Sequence, residues 1–120
     1  MKNIKLDTST ALVMRHLSSF QQNDLEGVLA DYTNESVFIT QAATYTGVEE
    51  IRGFFSELII HFPAGKSEFV LDKIATIDDM VYILWHAKTP GLTVPIGSDT
   101  FIVKECKIHQ QTFVGQLEFK

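Results

Sequence analysis

The stretch MVYILWHAKTPGLTVPIGSDTFIVK, residues 80–104, decides how this chain folds. Met80 to Trp85 is apolar on both alternating faces apart from a tyrosine hydroxyl, the pattern of a central strand covered on two sides. Pro90-Gly91 then allows only a tight turn, so the strand that follows must run antiparallel to the first. Within that second strand the parity changes. Leu92, Val94 and Ile96 are apolar at even positions, Phe101 and Val103 at odd ones, and Gly97-Ser98 lies between them. One extra residue, a β-bulge, reconciles the halves and bends the sheet. With Pro90-Gly91 as a two-residue turn, Val94 faces Ala87 and Ile96 faces Trp85. The bulge then brings Asp99 and Phe101 onto the face of Ile83, Trp85 and Ala87. Helices packed on the concave side of such a sheet leave a hollow near the bend, which is the candidate site.

Working outward, extended stretches are expected near 66–77, 80–88, 92–105 and 108–118, joined by Asp78-Asp79, Pro90-Gly91 and a turn around Cys106. The half before them reads mainly as helix. A first helix is expected to start near Asp7 or Thr8, either of which can cap it, and carries Ala11, Val13, Leu17 and Phe20 on its apolar side. It ends at Gln21-Gln22-Asn23. Asp24 caps a short second helix whose inward residues are Leu25, Val28, Leu29 and Tyr32. Residues 36–40 (Ser-Val-Phe-Ile-Thr) read as a strand, with 42–45 as a short partner. Thr46-Gly47 opens a third helix whose stripe is Ile51, Phe54, Phe55, Leu58 and Phe62, and Pro63 with Gly65 stops it.

The 120 residues are 45% hydrophobic and 21% charged, with only three prolines and no Gly/Ser-rich linker. This describes one domain, residues 1–120, of the α+β class. A chain of this length buries enough surface to fold without a staple. A formal net charge of -5 and the lack of any basic run exclude electrostatic capture of nucleic acid or of an anionic membrane surface. The single cysteine, Cys106, has no partner for an internal disulfide. No Cys/His spacing suits zinc, no glycine pattern suits a nucleotide, and no cofactor is expected. The amino terminus lacks the apolar core of a secretion signal, and a cytoplasmic protein is expected.

Four segments resemble the nuclear transport factor 2-like superfamily, particularly its SnoaL-like polyketide-cyclase and ketosteroid-isomerase branches. They are HLSSFQQNDLEGVLADYTNESVFI, YTGVEEIRGFFSEL, DDMVYILWHAK and DTFIVKECKIHQQTF, and they cover most of the chain in the family's order. The resemblance implies a cystatin-like cone: three N-terminal helices on a strongly bent antiparallel sheet, with an internal pocket. It also implies a homodimer formed through the outer sheet face, here with Tyr82, Leu84, His86 and Ile102. It says less about activity, because one pocket serves many chemistries. Isomerase-like members use a helix-1 tyrosine, a first-strand aspartate base and a protonated aspartate. These positions fall on His16, Thr40 and Asp99. Cyclases and epoxide hydrolases use a final-strand aspartate where this chain has Phe113. Hydrolases add an arginine and an aspartate where it has Trp85 and Ala87. Neither acid-base set is complete.

Asp99 is the first candidate for catalysis. A carboxyl on the face of Trp85 and Phe101 is costly to bury unless it is paired or protonated. The alternative is a bulge aspartate that binds backbone N–H groups or reaches water. His16 lies four residues from both Leu12 and Phe20, on or beside the inner stripe. If Asp99 orients its ring, His16 can serve as a general acid or base; otherwise it makes a structural hydrogen bond. Phe20, Tyr32, Phe38, Thr40, Phe54, Phe55, Trp85, Phe101 and Phe113 are the candidate ligand-binding residues. The inward direction of Phe113 depends on the turn around Cys106. His86 is expected on the outer face, and His61 and His109 on the surface.

These residues support a pocket that binds a small apolar molecule, with isomerase-, cyclase- or hydrolase-type acid-base activity from His16 and Asp99. The competing reading is a noncatalytic ligand-binding or dimerisation module. An open cavity with Asp99 facing His16 favours the first, and a cavity filled by phenyl rings favours the second.

Overall fold

The computed structural model of the protein describes residues 4–120, with side chains from Thr8 onward. The elements are α1 (Ile4–Gln21), α2 (Leu25–Leu29), β1 (Val37–Thr40), β2 (Thr44–Thr46), α3 (Val48–Ile59), β3 (Glu68–Ile77), β4 (Met80–Lys88), β5 (Leu92–Lys104), β6 (Lys107–Gly115) and β7 (Glu118–Phe119). Helix α1 begins ahead of the Asp7 or Thr8 expected to start it, and the capping expected of Asp7 lies outside the described side chains. No described helix is long and apolar enough to cross a membrane.

Helix α1 turns back at Asn23, whose left-handed backbone (φ 59°) suits asparagine. The Asp24 carboxylate then accepts the Gly27 N–H at 3.0 Å and caps α2. The Asn23 side chain donates to the Phe62 carbonyl and accepts from the Ala64 N–H, both at 2.8 Å. This pins the segment after α3 to the helical hairpin. Helix α3 ends at Ile59, earlier than its apolar stripe, and Phe62 is buried from the turn that follows.

The strands form one sheet in the order β2-β1-β6-β5-β4-β3, with β7 beside the start of β5. It is not wholly antiparallel as expected: β1 runs parallel to β6. A helix and four strands separate these two in sequence, so no hairpin forces their direction. The last expected strand, 108–118, is also divided. Strand β6 stops at Gly115, and the chain turns to pair Phe119 with Leu92.

The bulge in β5 exists, one step earlier than the apolar parity suggests. Val94 pairs with Ala87 as expected, but Gly97 rather than Ile96 lies opposite Trp85, so the extra residue falls within Pro95-Ile96. Proline has no N–H to give a ladder and therefore suits a bulge. Ile96 turns outward and is 52% exposed. Gly97 has a steric reason, since a Cβ there would sit 2.7 Å from the Trp85 indole. After the bulge, Asp99 and Phe101 join Ile83, Trp85 and Ala87 on the inner face, and all five are buried.

Glu105 and Cys106 both have positive φ (53° and 62°), giving β5 and β6 a tight turn whose twist matches the strands. Together with a register shift between Ile102 and Val103, this turn directs Gln111 and Phe113 inward, opposite Phe101 and Asp99.

Candidate functional site

The inner sheet face and helices α1 and α3 enclose a cavity of about 60 Å³. Leu17, Phe20, Phe54, Leu58 and Phe69 line it while remaining partly exposed, so the hollow reaches the surface between them. A second hollow of about 120 Å³ lies beside it, sharing Phe20, Phe62 and Phe69. The polar residues of the inner lining are His16, Asp99 and Gln111.

Asp99 is 7% exposed, and both its carboxyl oxygens are used. The Trp85 indole N–H donates to Oδ1 and the Gln111 amide donates to Oδ2, each at 2.9 Å. Burial pushes the Asp99 carboxyl up to about 6, against the pull of those two donors. A carboxyl that titrates there can both give and take a proton near neutral pH.

His16 does not meet Asp99 directly. Its Nδ1 lies 3.0 Å from the Asp31 carboxylate and its Nε2 lies 3.2 Å from the Tyr32 hydroxyl. Tyr32 in turn donates to Gln111 Oε1 at 2.5 Å. The ring's orientation therefore comes from Asp31, and Tyr32 and Gln111 carry the connection onward to Asp99. Asp31 is buried and also accepts from Arg15, whose side chain is 62% exposed. Burial pushes the Asp31 carboxyl up, but the hydrogen bonds and charges of His16 and Arg15 outweigh it and leave it below the ordinary value. The Tyr32 hydroxyl is held well above its usual range by burial and by the charges of Asp99 and Asp31. Every buried side-chain polar atom of this cluster has a partner.

The aromatic residues pack around this chain. Phe69 and Phe113 each stack with the Trp85 ring, at centroid distances of 5.1 and 6.0 Å. Phe38 and Phe55 are nearly parallel at 5.7 Å, and Phe55 meets the His16 ring edge at 6.1 Å.

Of the expected site residues, His16, Asp99, Phe20, Phe38, Phe54, Phe55, Trp85, Phe101 and Phe113 come together around the cavity. Tyr32 lies behind His16, outside the lining. Thr40 lies elsewhere: its hydroxyl accepts the Ala42 and Ala43 N–H groups at 3.1 Å and shapes the β1–β2 turn. The sequence reading missed Asp31 and Gln111, and at the mouth Phe69. His86 is on the outer face as expected, with Nδ1 2.7 Å from Asp72.

No protein-family model matches the chain, and no curated protein matches it. Solved structures do. A protein of unknown function from Mesorhizobium loti with a nuclear transport factor 2-like fold is 16% identical, with 97% of each chain covered and a TM-score of 0.78. A candidate ketosteroid isomerase from Kribbella flavida is 10% identical over 97% of this chain and 83% of that one, at 0.77. An LEH-like epoxide hydrolase from M. tuberculosis is 14% identical over 92% and 84%, at 0.73. Three helices on a curved, unclosed sheet, superposing on these structures over nearly the whole chain, give this protein the nuclear transport factor 2-like fold.

Proposed function

We propose that the protein binds a small apolar molecule bearing one carbonyl or hydroxyl group, and that Asp99 polarises that group as an acid or base. The observation that carries this reading is a buried carboxyl, titrating near 6, in the lining of an otherwise aromatic and aliphatic cavity. Asp99 is the catalytic residue in this reading. His16 acts through Tyr32 and Gln111 and is a positioning residue. Isomerase, cyclase and hydrolase chemistry all need such a group, and two of the structural neighbours are described as a candidate ketosteroid isomerase and an epoxide hydrolase.

Size constrains the ligand. An engineered cavity of about 150 Å³ takes benzene, whereas this one measures about 60 Å³. A ring-sized ligand therefore requires Phe20, Phe62 and Phe69 to rotate and join the two hollows. Cyclohexanone is a suitable probe. Its binding to the wild type, followed by NMR chemical shifts, should weaken as pH rises through about 6, because only protonated Asp99 donates to a carbonyl. Asp99→Asn should abolish that pH dependence and change affinity by about tenfold, the worth of one hydrogen bond to an ionisable group. Binding that is unchanged in both respects removes the role of Asp99.

The noncatalytic reading draws support from the outer sheet face. Tyr82, Leu84, Ile96 and Val114 border a shallow groove there, and Ile96 and Val114 are more than half exposed. Such a face suits pairing with a second copy of the chain. Sedimentation at micromolar concentration is expected to give a dimer, and a monomer counts against this surface as an interface.

A further inference from the structure

Asp31, His16, Tyr32, Gln111, Asp99 and Trp85 form an unbroken chain of five hydrogen-bonded links, spaced 3.0, 3.2, 2.5, 2.9 and 2.9 Å in that order. Each link needs one hydrogen. Both ends are chemically fixed. The Trp85 indole can only donate, so Asp99 Oδ1 must accept. Asp31 is held ionised and can only accept, so His16 Nδ1 must carry a hydrogen.

Two arrangements satisfy everything between those ends. In the first, His16 Nε2–H donates to the Tyr32 oxygen, Tyr32 donates to Gln111 Oε1, and Gln111 Nε2 donates to an ionised Asp99. His16 is then an imidazolium. In the second, protonated Asp99 donates to Gln111 Oε1, the turned-over amide donates to Tyr32, and Tyr32 donates to the bare Nε2 of a neutral His16. The observed directions are those of the first. Passing to the second moves one proton, net, from His16 Nε2 to Asp99 Oδ2, and the total charge stays the same.

We infer that Gln111 is a two-position amide switch that couples the protonation of His16 to that of Asp99, so the pocket holds Asp99 either as a carboxylate or as a carboxylic acid. A ligand hydroxyl donating to Asp99 would favour the first, whereas a ligand carbonyl would compete with Gln111 Oε1 for the Asp99 hydrogen of the second. That consequence rests on the pocket reading above, whereas the switch itself requires no ligand. The titratable and charged groups along the chain are Arg15 and His16 from α1, Asp31 and Tyr32 following α2, and Asp99 from β5. Strands β4 and β6 and helix α3 contribute Trp85, Gln111 and Phe55, which do not titrate.

Asp99→Asn tests the switch sharply. Trp85 forces the asparagine oxygen toward itself, so the asparagine NH₂ faces Gln111 and must be accepted by Oε1. Gln111 turns over, Tyr32 donates to His16, and Nε2 should lose its hydrogen. The ¹⁵N spectrum of ring-labelled histidine at pH 7 is expected to show His16 Nε2 moving from the protonated to the unprotonated range. In Gln111→Leu the chain is cut, and adding Asp99→Asn should no longer move that signal. A protonated Nε2 in Asp99→Asn, or the same displacement with Gln111 absent, overturns the inference. If Asp99→Asn does not fold, the pH titrations of the Asp99 carboxyl carbon and His16 Nε2 decide. Because the switch shares one proton between the two groups, each should show both macroscopic steps in the wild type and a single step of its own in Gln111→Leu, and one independent step per group in both proteins overturns it. No ligand enters these measurements, so the switch and the pocket reading fail separately.

Discussion

Asp31→Ala should lower the stability of the fold by about 3–5 kcal/mol at neutral pH, the cost of removing one partner from a buried ion pair. Its carboxylate is 3% exposed and is the acceptor for both Arg15 and His16. Arg15 loses little, because its guanidinium already reaches water. His16 is 3% exposed, and its Nδ1 hydrogen would have no other acceptor. The penalty should depend on pH in a defined sense. The folded carboxyl lies below its ordinary value of 3.8, so its contribution is present above that value and is lost as pH falls through the lower folded one. Urea unfolding of wild type and variant should therefore differ most at pH 7 and converge toward pH 3. Asp31→Asn, which keeps an acceptor oxygen without the charge, should recover part of the loss. A cost below about 1 kcal/mol at pH 7 would show that the pair does not hold the helical hairpin.

The fold was legible because local signals agreed with one another. The parity change in β5 located a bend to within about a residue, and the short turns left no choice of direction for β3 to β6. Two features were hidden for physical reasons. Apolar parity shows that an extra residue exists but not where the ladder admits it; that depended on Pro95 lacking an N–H and on Trp85 leaving room for nothing larger than Gly97. The parallel β1–β6 pairing joins strands far apart in sequence, and no turn encodes it.

The site was legible where it lies on the sheet's inner face. Asp99 and its aromatic surroundings followed from parity alone. His16 was placed correctly on the inner stripe, but the carboxylate that orients it is Asp31 and not Asp99. An aspartate just after a short helix reads as a solvated charge, and what makes Asp31 buriable is the arrival of Arg15 and His16 from the preceding helix. Gln111 was obscured by the β5–β6 turn. Its inward direction depends on Glu105 and Cys106 both adopting left-handed backbone, a conformation their residue types do not announce. A polar residue two positions before Phe113 was nevertheless a usable signal, since alternation puts both on one face.

Asp99→Asn should stabilise the fold above about pH 6 and leave it unchanged near pH 4. The folded carboxyl is raised from 3.8 to about 6, so its contribution is fully present below the unfolded value and is lost as pH rises through the folded one. At about 1.4 kcal/mol per unit, the buried carboxylate costs the native state up to roughly 3 kcal/mol at pH 8. Asparagine has nearly the same shape, keeps an acceptor for Trp85 and never ionises. Urea midpoints measured from pH 4 to pH 8 should thus coincide at the acid end and separate in favour of the variant as pH rises, with the wild type losing stability mainly between pH 4 and pH 6. A difference that is constant across this range would mean that Asp99 is not held at a raised value. The same carboxyl that weakens the fold lines the pocket, and a loss of stability confined to its ionised form is the expected trace of a residue retained for chemistry and not for packing.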